Sequence, residues 1–184
     1  RFNLFSKELS KIIKVEVKYI PVTNYIAAVT GFRTNDLDLV WFGGLSGVQA
    51  RLQTPDAIVI AQRDIDKEFK SIFIINKKLK LDPISKIEGL KKLKNIRFTF
   101  GSENSTSGRL MPEYFLNEAG IKIKDFKGKK AGFSGSHDAT IALVNSGAYE
   151  SGVLNKQVWE NNLKNNPKRT KNVIPFWITP SYVD

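Results

Sequence analysis

The stretch FTFGSENSTSGRLMPEYFL, residues 98–116, joins a strand pattern to a helix pattern through a run of small polar residues. The helix pattern covers residues 105–119, and the run Asn104–Gly108 at its start carries no charged side chain. Unpaired N–H groups at a helix start, together with neighbouring hydroxyl donors, can hold a tetrahedral oxyanion. The donors predicted for such a site are Ser105, Thr106 and Ser107. An ordinary polar helix cap would explain the same run.

A second stretch, GFSGSHDATIALVNSG (residues 132–147), repeats this plan of strand, polar turn and helix. Ser136 is the predicted cap, and His137 in the first turn is the only histidine of the chain. Its imidazole can donate to an anionic oxygen, and its charge can follow pH. Two such turns in one half of the chain favour a shared anion site, although His137 beside Asp138 would also suit a plain surface position.

Hydrophobic periodicity predicts strands that alternate with helices. Such alternation is typical of an α/β fold with a mainly parallel sheet, whose ligand sites lie beyond the carboxyl ends of the strands. The predicted strands are 15–21, 38–44, 57–62, 71–76, 95–101, 130–135, 151–155 and 172–179. The predicted helices are 3–13, 25–30, 45–52, 84–93, 105–119, 137–146 and 157–164.

The first half of the chain offers two further candidates for the site. Tyr25 can supply a phenolic hydrogen bond and an aromatic wall, or it can be simply half-buried. Ser46 follows the paired glycines Gly43 and Gly44, and its hydroxyl and the nearby N–H groups repeat the helix-start pattern. A site held from two lobes would close by a hinge motion around its ligand.

Composition argues against several other classes of protein. The 184 residues carry a formal net charge of +11, but the 22 lysines among 29 basic residues are spread along the chain without a nucleic-acid-binding motif. We therefore expect solvated lysines that attract small anions, and no nucleic-acid partner.

Motifs for cofactors, metals and catalysis are also missing from the sequence. The absence of cysteine excludes disulfides and thiolate chemistry, and a single histidine without a carboxylate cluster at ligand spacing argues against a metal site. No G-x-S-x-G elbow, Walker motif or dinucleotide glycine pattern follows a strand. We expect no cofactor and no enzymatic activity.

Four segments resemble the PhnD-type periplasmic phosphonate-binding proteins of ABC importers, and the similarity covers essentially the whole chain. These segments are 98–116, 132–147, DLVWFGGLSG (38–47) and ITPSYVD (178–184). The segments QARLQ and QRDID are similar to a branch described as phosphonate, phosphite or selenate binders. The resemblance implies a type II periplasmic binding protein with two lobes, residues 1–73 with 174–184 and residues 74–173, around a ligand cleft.

The same resemblance implies a location, partners and missing parts. We expect a periplasmic monomer that delivers its ligand to an ABC transporter permease, with its export signal outside this sequence. Compared with the family, the chain is expected to lack the first strand and the C-terminal part.

The resemblance also implies roles for individual residues. Ser105, Thr106 and Ser107 would hold the oxyanion, His137 would donate beside them, and Tyr25 would contribute from the first lobe. Asp184 matches a cleft carboxylate in a Y-x-D segment, and Phe69 stands where the family often has a tyrosine.

Asp184, if it lines the cleft, favours one class of ligand. A carboxylate repels a fully ionised oxyanion but accepts a hydrogen bond from a P–OH group or an ammonium group. We therefore predict a phosphonate, phosphite or phosphate ligand. The alternatives are a sulfate or selenate binder, an enzyme on the same fold, a basic nucleic-acid-binding protein, and a surface position for Asp184.

Overall fold

The computed structural model describes residues 2–184, and a five-stranded sheet organises the second half of the chain. Its order is β3-β2-β4-β1-β5. The strands are β1 (Ser71–Asn76), β2 (Phe98–Phe100), β3 (Gly132–Phe133), β4 (Ser151–Asn155) and β5 (Val173–Ile178). β2 is parallel to β3 and β4, whereas β1 is antiparallel to β4 and β5. Because β1 is antiparallel to the other four strands, its N-terminal end lies at the edge of the sheet that holds their C-terminal ends.

Seven α-helices and several short 3₁₀ segments accompany the sheet in the described residues. The helices are α1 (Phe2–Ile13), α2 (Tyr25–Arg33), α3 (Gly44–Gln53), α4 (Met111–Glu118), α5 (His137–Ser146), α6 (Lys156–Asn165) and α7 (Pro167–Thr170). The 3₁₀ segments are Asp64–Glu68, Lys77–Leu79, Ile87–Leu93, Ile123–Asp125 and Lys127–Lys129. The helix predicted over 84–93 is therefore a shorter 3₁₀ segment. None of the helices in the described part of the chain has the length and apolar character that a membrane crossing requires.

The hydrophobic core lies on both faces of the sheet because side chains alternate along β1. Phe73 and Ile75 face one cluster, which includes Phe98 and residues of α4. Ile72 and Ile74 face the other, which includes residues of α5 and α6. The ring of Phe98 stacks on that of Phe126 with centroids 4.6 Å apart. Because both faces of the sheet are packed, the C-terminal ends of β2 and β3, where the polar turns begin, are held in place.

The helix predicted from Ser105 begins irregularly. A π-helical turn, Thr106–Leu110, precedes α4, and Pro112 lies in the first turn of α4. Gly101 N–H donates to the carbonyl of Gly108, within the π-helical turn, at 2.8 Å. This bond ties the turn back to the end of β2.

Three strands predicted in the first half are wrong for the described residues. Segments 15–21, 38–44 and 57–62 form no β-ladder, and the side chains of Ile58, Val59 and Ile60 stay 69–80% exposed. An apolar alternating pattern reports a tendency to avoid water, whereas a strand also needs a neighbour for its N–H and C=O groups. Such neighbours are not provided by the described residues.

The chain enters the sheet from the preceding residues at β1 and leaves it again after β5. Residues 69–70 lead into β1, and residues 179–182 follow β5. Both β1 and β5 belong entirely to the sheet, so the predicted boundaries at residues 73 and 174 fall inside strands. The division into two lobes stays a prediction, with the crossings a few residues outside those boundaries.

Candidate ligand-binding site

The first polar turn, Ser105–Ser107, is buried at the end of β2. Ser105 caps the π-helical turn, and its Oγ accepts a hydrogen bond from Gly108 N–H at 2.9 Å. Gly101 and Gly108 lie in close contact, since a Cβ on Gly101 would stand 3.1 Å from the Cα of Gly108. Because Ser105 Oγ is an acceptor toward its own helix, its hydroxyl proton is available to a group outside the turn.

The second polar turn, Ser134–Ser136, lies beside the first. Ser134 N–H donates to the carbonyl of Phe100 at 3.1 Å, and Gly135 N–H donates to that of Gly101 at 3.2 Å. The contact arises because β2 and β3 are parallel neighbours, so that their carboxyl ends meet at one edge. The structure therefore brings the second polar turn against the end of β2, from which the chain leads into the first turn.

His137 is the first residue of α5, next to its cap Ser136. Its Nδ1 accepts a hydrogen bond from Asn155 N–H at 3.4 Å. In a neutral imidazole with Nδ1 as acceptor, the proton resides on Nε2, which can then donate. Burial lowers the pKa of His137 to about 4, against a smaller opposing effect of Asp138. The ring is therefore a neutral donor near pH 7, and its charge follows pH only in a more acidic range.

The depressed pKa of His137 predicts a loss of stability on mild acidification. The unfolded chain takes up a proton near pH 6.5, whereas the folded chain does so only at about pH 4. The stabilisation is complete above pH 6.5 and is lost as pH falls toward 4. Urea unfolding at pH 7 and pH 5 should show a lower free energy of unfolding at pH 5. His137→Gln should flatten this slope, and equal slopes in both proteins would contradict the prediction.

The start of α3 reaches both the first turn and Asp184. Leu45 N–H donates to Thr106 Oγ1 at 2.9 Å, and Gly44 N–H donates to Asp184 Oδ1 at 3.3 Å. A Cβ on Gly44 would stand 3.3 Å from Thr106 Oγ1, so glycine permits this approach. Asp184 is fixed through its own N–H, which donates to the carbonyl of Asp66 at 2.9 Å. Residues far apart in the sequence thus converge at one helix start.

A cavity of about 260 Å³ lies next to this convergence. Its wall includes Tyr25, Gly43 and Ser46 from the first half and Gly135 and Ser136 from the second. The Ser46 hydroxyl donates to the carbonyl of Gly43 at 3.0 Å, so it is directed at its own helix start. The predicted Ser46 hydroxyl donor is therefore engaged, and Tyr25 is the side chain of the first half that is best placed to contact a ligand.

Phe69 lies elsewhere, at the crossing between the two halves. It is buried, and its backbone forms a bridge with Tyr182, whose ring centroid is 6.2 Å from its own. Phe69 is not part of the wall of the cavity. Its place in the structure is a packing position beside Tyr182.

Some contacts of the site carry no signal in the sequence. Gln49 Nε2 donates to Asn104 Oδ1 at 3.1 Å and joins α3 to the first turn. Trp41 and Phe42 add aromatic walls to the cavity. Their apolar character suits a buried strand equally well, so their pattern could not reveal this position.

The donor set suits an anion better than a metal. Within residues 2–184, no three histidine, cysteine, aspartate or glutamate side chains gather into a group that could hold a metal ion. Hydroxyl protons, an imidazole N–H and helix-start N–H groups are all hydrogen-bond donors, which complement oxyanion oxygens. Asp184 is the carboxylate in contact with this set.

Residues 1–184 match the family model described as "ABC transporter, phosphonate, periplasmic substrate-binding protein". The chain is 84% identical over its whole length to the "probable ABC transporter phosphite binding protein PhnD1" of Prochlorococcus marinus strain MIT 9301 and covers 62% of that protein. It is 26% identical over 180 residues to the "phosphonates-binding periplasmic protein" of Escherichia coli K12 and covers 52% of that one. The chain thus spans less than two thirds of these relatives.

A solved structure of the first of these relatives also superposes on this chain. PhnD1 of Prochlorococcus marinus in complex with methylphosphonate superposes with a TM-score of 0.98 over 100% of this chain and 68% of that one. These matches confirm the predicted resemblance and the α/β fold of type II periplasmic binding proteins. The chain belongs to the family of periplasmic substrate-binding proteins of phosphonate ABC transporters.

Proposed function

We propose that this protein captures a small phosphorus oxyanion, a phosphonate or phosphite, and delivers it to an ABC transporter permease from the periplasm. The observation that carries the proposal is the meeting of the α3 start with Thr106 and Asp184. A helix start and a hydroxyl turn supply donors, and a single carboxylate lies among them.

The donors would serve the ionised oxygens of the ligand. Ser105 and Thr106 both accept backbone N–H bonds, so each can direct its own proton outward. His137 contributes a neutral Nε2–H, and Ser107 lies in the same buried turn. Uncharged donors avoid the cost of leaving a buried cation unpaired when the site is empty.

Asp184 would select the protonation state of the ligand. It accepts a hydrogen bond from a P–OH group or an ammonium group, whereas it repels a fully ionised sulfate or selenate. PhnD1 from Prochlorococcus marinus, which is 84% identical, has a structure with methylphosphonate, and this supports the same ligand class here.

Binding without turnover is part of the proposal. A site built from helix-start donors holds an anion, and the residues around it include no serine in a nucleophile elbow. The cleft is formed by residues of one chain, so we propose that a single copy is sufficient.

Calorimetry with a panel of anions tests the proposal. We expect tight binding of methylphosphonate or phosphite, weaker binding of sulfate and selenate, and recovery of unchanged ligand after long incubation. Tight binding of selenate alone would contradict the role of Asp184. Conversion of the ligand during incubation would contradict a purely binding function.

A further inference from the structure

The two crossing segments pair with each other beside the site. Phe69 N–H donates to the carbonyl of Tyr182 at 2.9 Å, and Tyr182 N–H donates to that of Phe69 at 3.0 Å. Further along, Ser71 N–H donates to Thr179 Oγ1 at 3.0 Å, and Thr179 N–H donates to the carbonyl of Ser71 at 3.0 Å. The chain therefore passes between the two halves as a short antiparallel ladder, and a hinge motion would have to act on this ladder.

A chain of hydroxyl groups runs from this ladder to the first polar turn. Ser71 Oγ lies 2.7 Å from the carbonyl oxygen of Ser107 and 2.6 Å from the hydroxyl of Tyr182. A carbonyl oxygen can only accept, so the single proton of Ser71 points to Ser107. Tyr182 must then donate to Ser71. The hydrogen bonds therefore run in one direction: the Tyr182 hydroxyl donates to the Ser71 hydroxyl, which donates to the carbonyl of Ser107.

The carbonyl of Ser107 needs this external donor because of Pro112. In the π-helical turn, Met111 N–H donates to the carbonyl of Thr106, five residues earlier. In the same register, the carbonyl of Ser107 would be paired with the N–H of residue 112, which proline lacks. Ser71 fills that gap with its hydroxyl, at a position where its side chain is fully buried.

The geometry matters for the ligand because both ends of the hydroxyl chain belong to predicted site segments. Ser107 is one of the proposed oxyanion donors, and Tyr182 lies two residues before Asp184 on the same segment. We propose that Tyr182 and Ser71 are positioning residues, which hold the carbonyl of Ser107 and thereby set the oxyanion donors at a fixed distance from Asp184. This inference rests on the proposed function.

Tyr182→Phe tests the inference, because it keeps the ring against Phe69 and removes the hydroxyl. We expect a roughly threefold to tenfold weaker binding of methylphosphonate, as for one lost hydrogen bond. Amide hydrogen exchange of residues 106–110 should also become faster, relative to the amides of β4. Tyr114→Phe is the matched control, since Tyr114 is half exposed on α4, and it should change neither quantity.

Ser71→Ala gives a second measurement. If Tyr182 acts through Ser71, adding Tyr182→Phe to Ser71→Ala should weaken binding no further, and Ser71→Thr should restore part of the affinity. Equal affinity and equal exchange in Tyr182→Phe and the unchanged protein, or additive effects in the double variant, would overturn the inference. Failure of the unchanged protein to bind any phosphorus oxyanion would instead overturn the proposed function, and the exchange measurement would still show whether Tyr182 holds the turn.

Discussion

Thr106→Val should weaken the binding of methylphosphonate by about 1 to 3 kcal/mol, the usual effect of losing a hydrogen bond to a charged group. Thr106 contacts the start of α3 in the first half of the chain, and it is one of the proposed ligand contacts. Its Oγ1 accepts the N–H of Leu45 at 2.9 Å, so its proton is free for an anion oxygen. Valine has nearly the same shape, so the variant keeps most of the packing but removes the hydroxyl, both as a donor to the ligand and as the acceptor of the Leu45 N–H. Isothermal titration calorimetry measures the change.

Two further variants separate the hydroxyl from its surroundings. Thr106→Ser keeps the hydroxyl group and should retain most of the affinity. Thr34→Val removes a threonine hydroxyl at the exposed end of α2, far from the cleft, and should leave binding unchanged. An unaltered dissociation constant in Thr106→Val would mean that residues 105–107 are only a helix cap.

The elements of the second half could be predicted because their signals are local. β1 has the predicted bounds, and α5 begins and ends as predicted, between its Ser136 cap and Gly147. Gly147 has a φ of 82°, which glycine adopts at little cost at the end of a helix. A cap, a helix and a glycine stop are properties of about ten consecutive residues, so a single sequence contains them.

The strands of the first half could not be predicted in the same way. Segments such as 57–62 have an apolar strand pattern, but a strand exists only when another strand receives its hydrogen bonds. That partner is a property of the tertiary structure and leaves no mark in the segment itself. The same limit applies to the direction of β1, which depends on where the chain enters the sheet.

The site shows the same contrast between local and distant contacts. The contact of the second polar turn with the end of β2 follows from the parallel neighbours β2 and β3, which strand-and-helix alternation already favours. The contact of Gly44 with Asp184 joins residues 140 positions apart, and Asp184 was identified only through the family resemblance. The hydroxyl chain through Ser71 had no sequence signal, because nothing in the sequence distinguishes this serine from any other serine at the start of a strand.

Asp184→Asn should reverse the preference of the site among anions. The asparagine side chain would keep an Oδ1 that can accept the N–H of Gly44, now at 3.3 Å, so the change removes charge and leaves that contact possible. A P–OH group would lose a charged acceptor, and we expect its affinity to fall by about 1.5 to 3 kcal/mol. Sulfate and selenate would lose a repulsive neighbour, and their affinity should rise.

The control for this variant removes a different carboxylate near the same turns. Asp138→Asn changes the residue after His137, whose side chain is 60% exposed and bonds Asn162 and Arg169. Calorimetry with methylphosphonate, phosphite, sulfate and selenate should give the unchanged order of affinities in Asp138→Asn and an altered order in Asp184→Asn. If both variants shift all four anions equally, the carboxylate of Asp184 acts only through the overall charge. Selection of a protonated phosphorus oxyanion would then have to come from the shape of the cavity, because Asp184 is the carboxylate that contacts the donors at the start of α3.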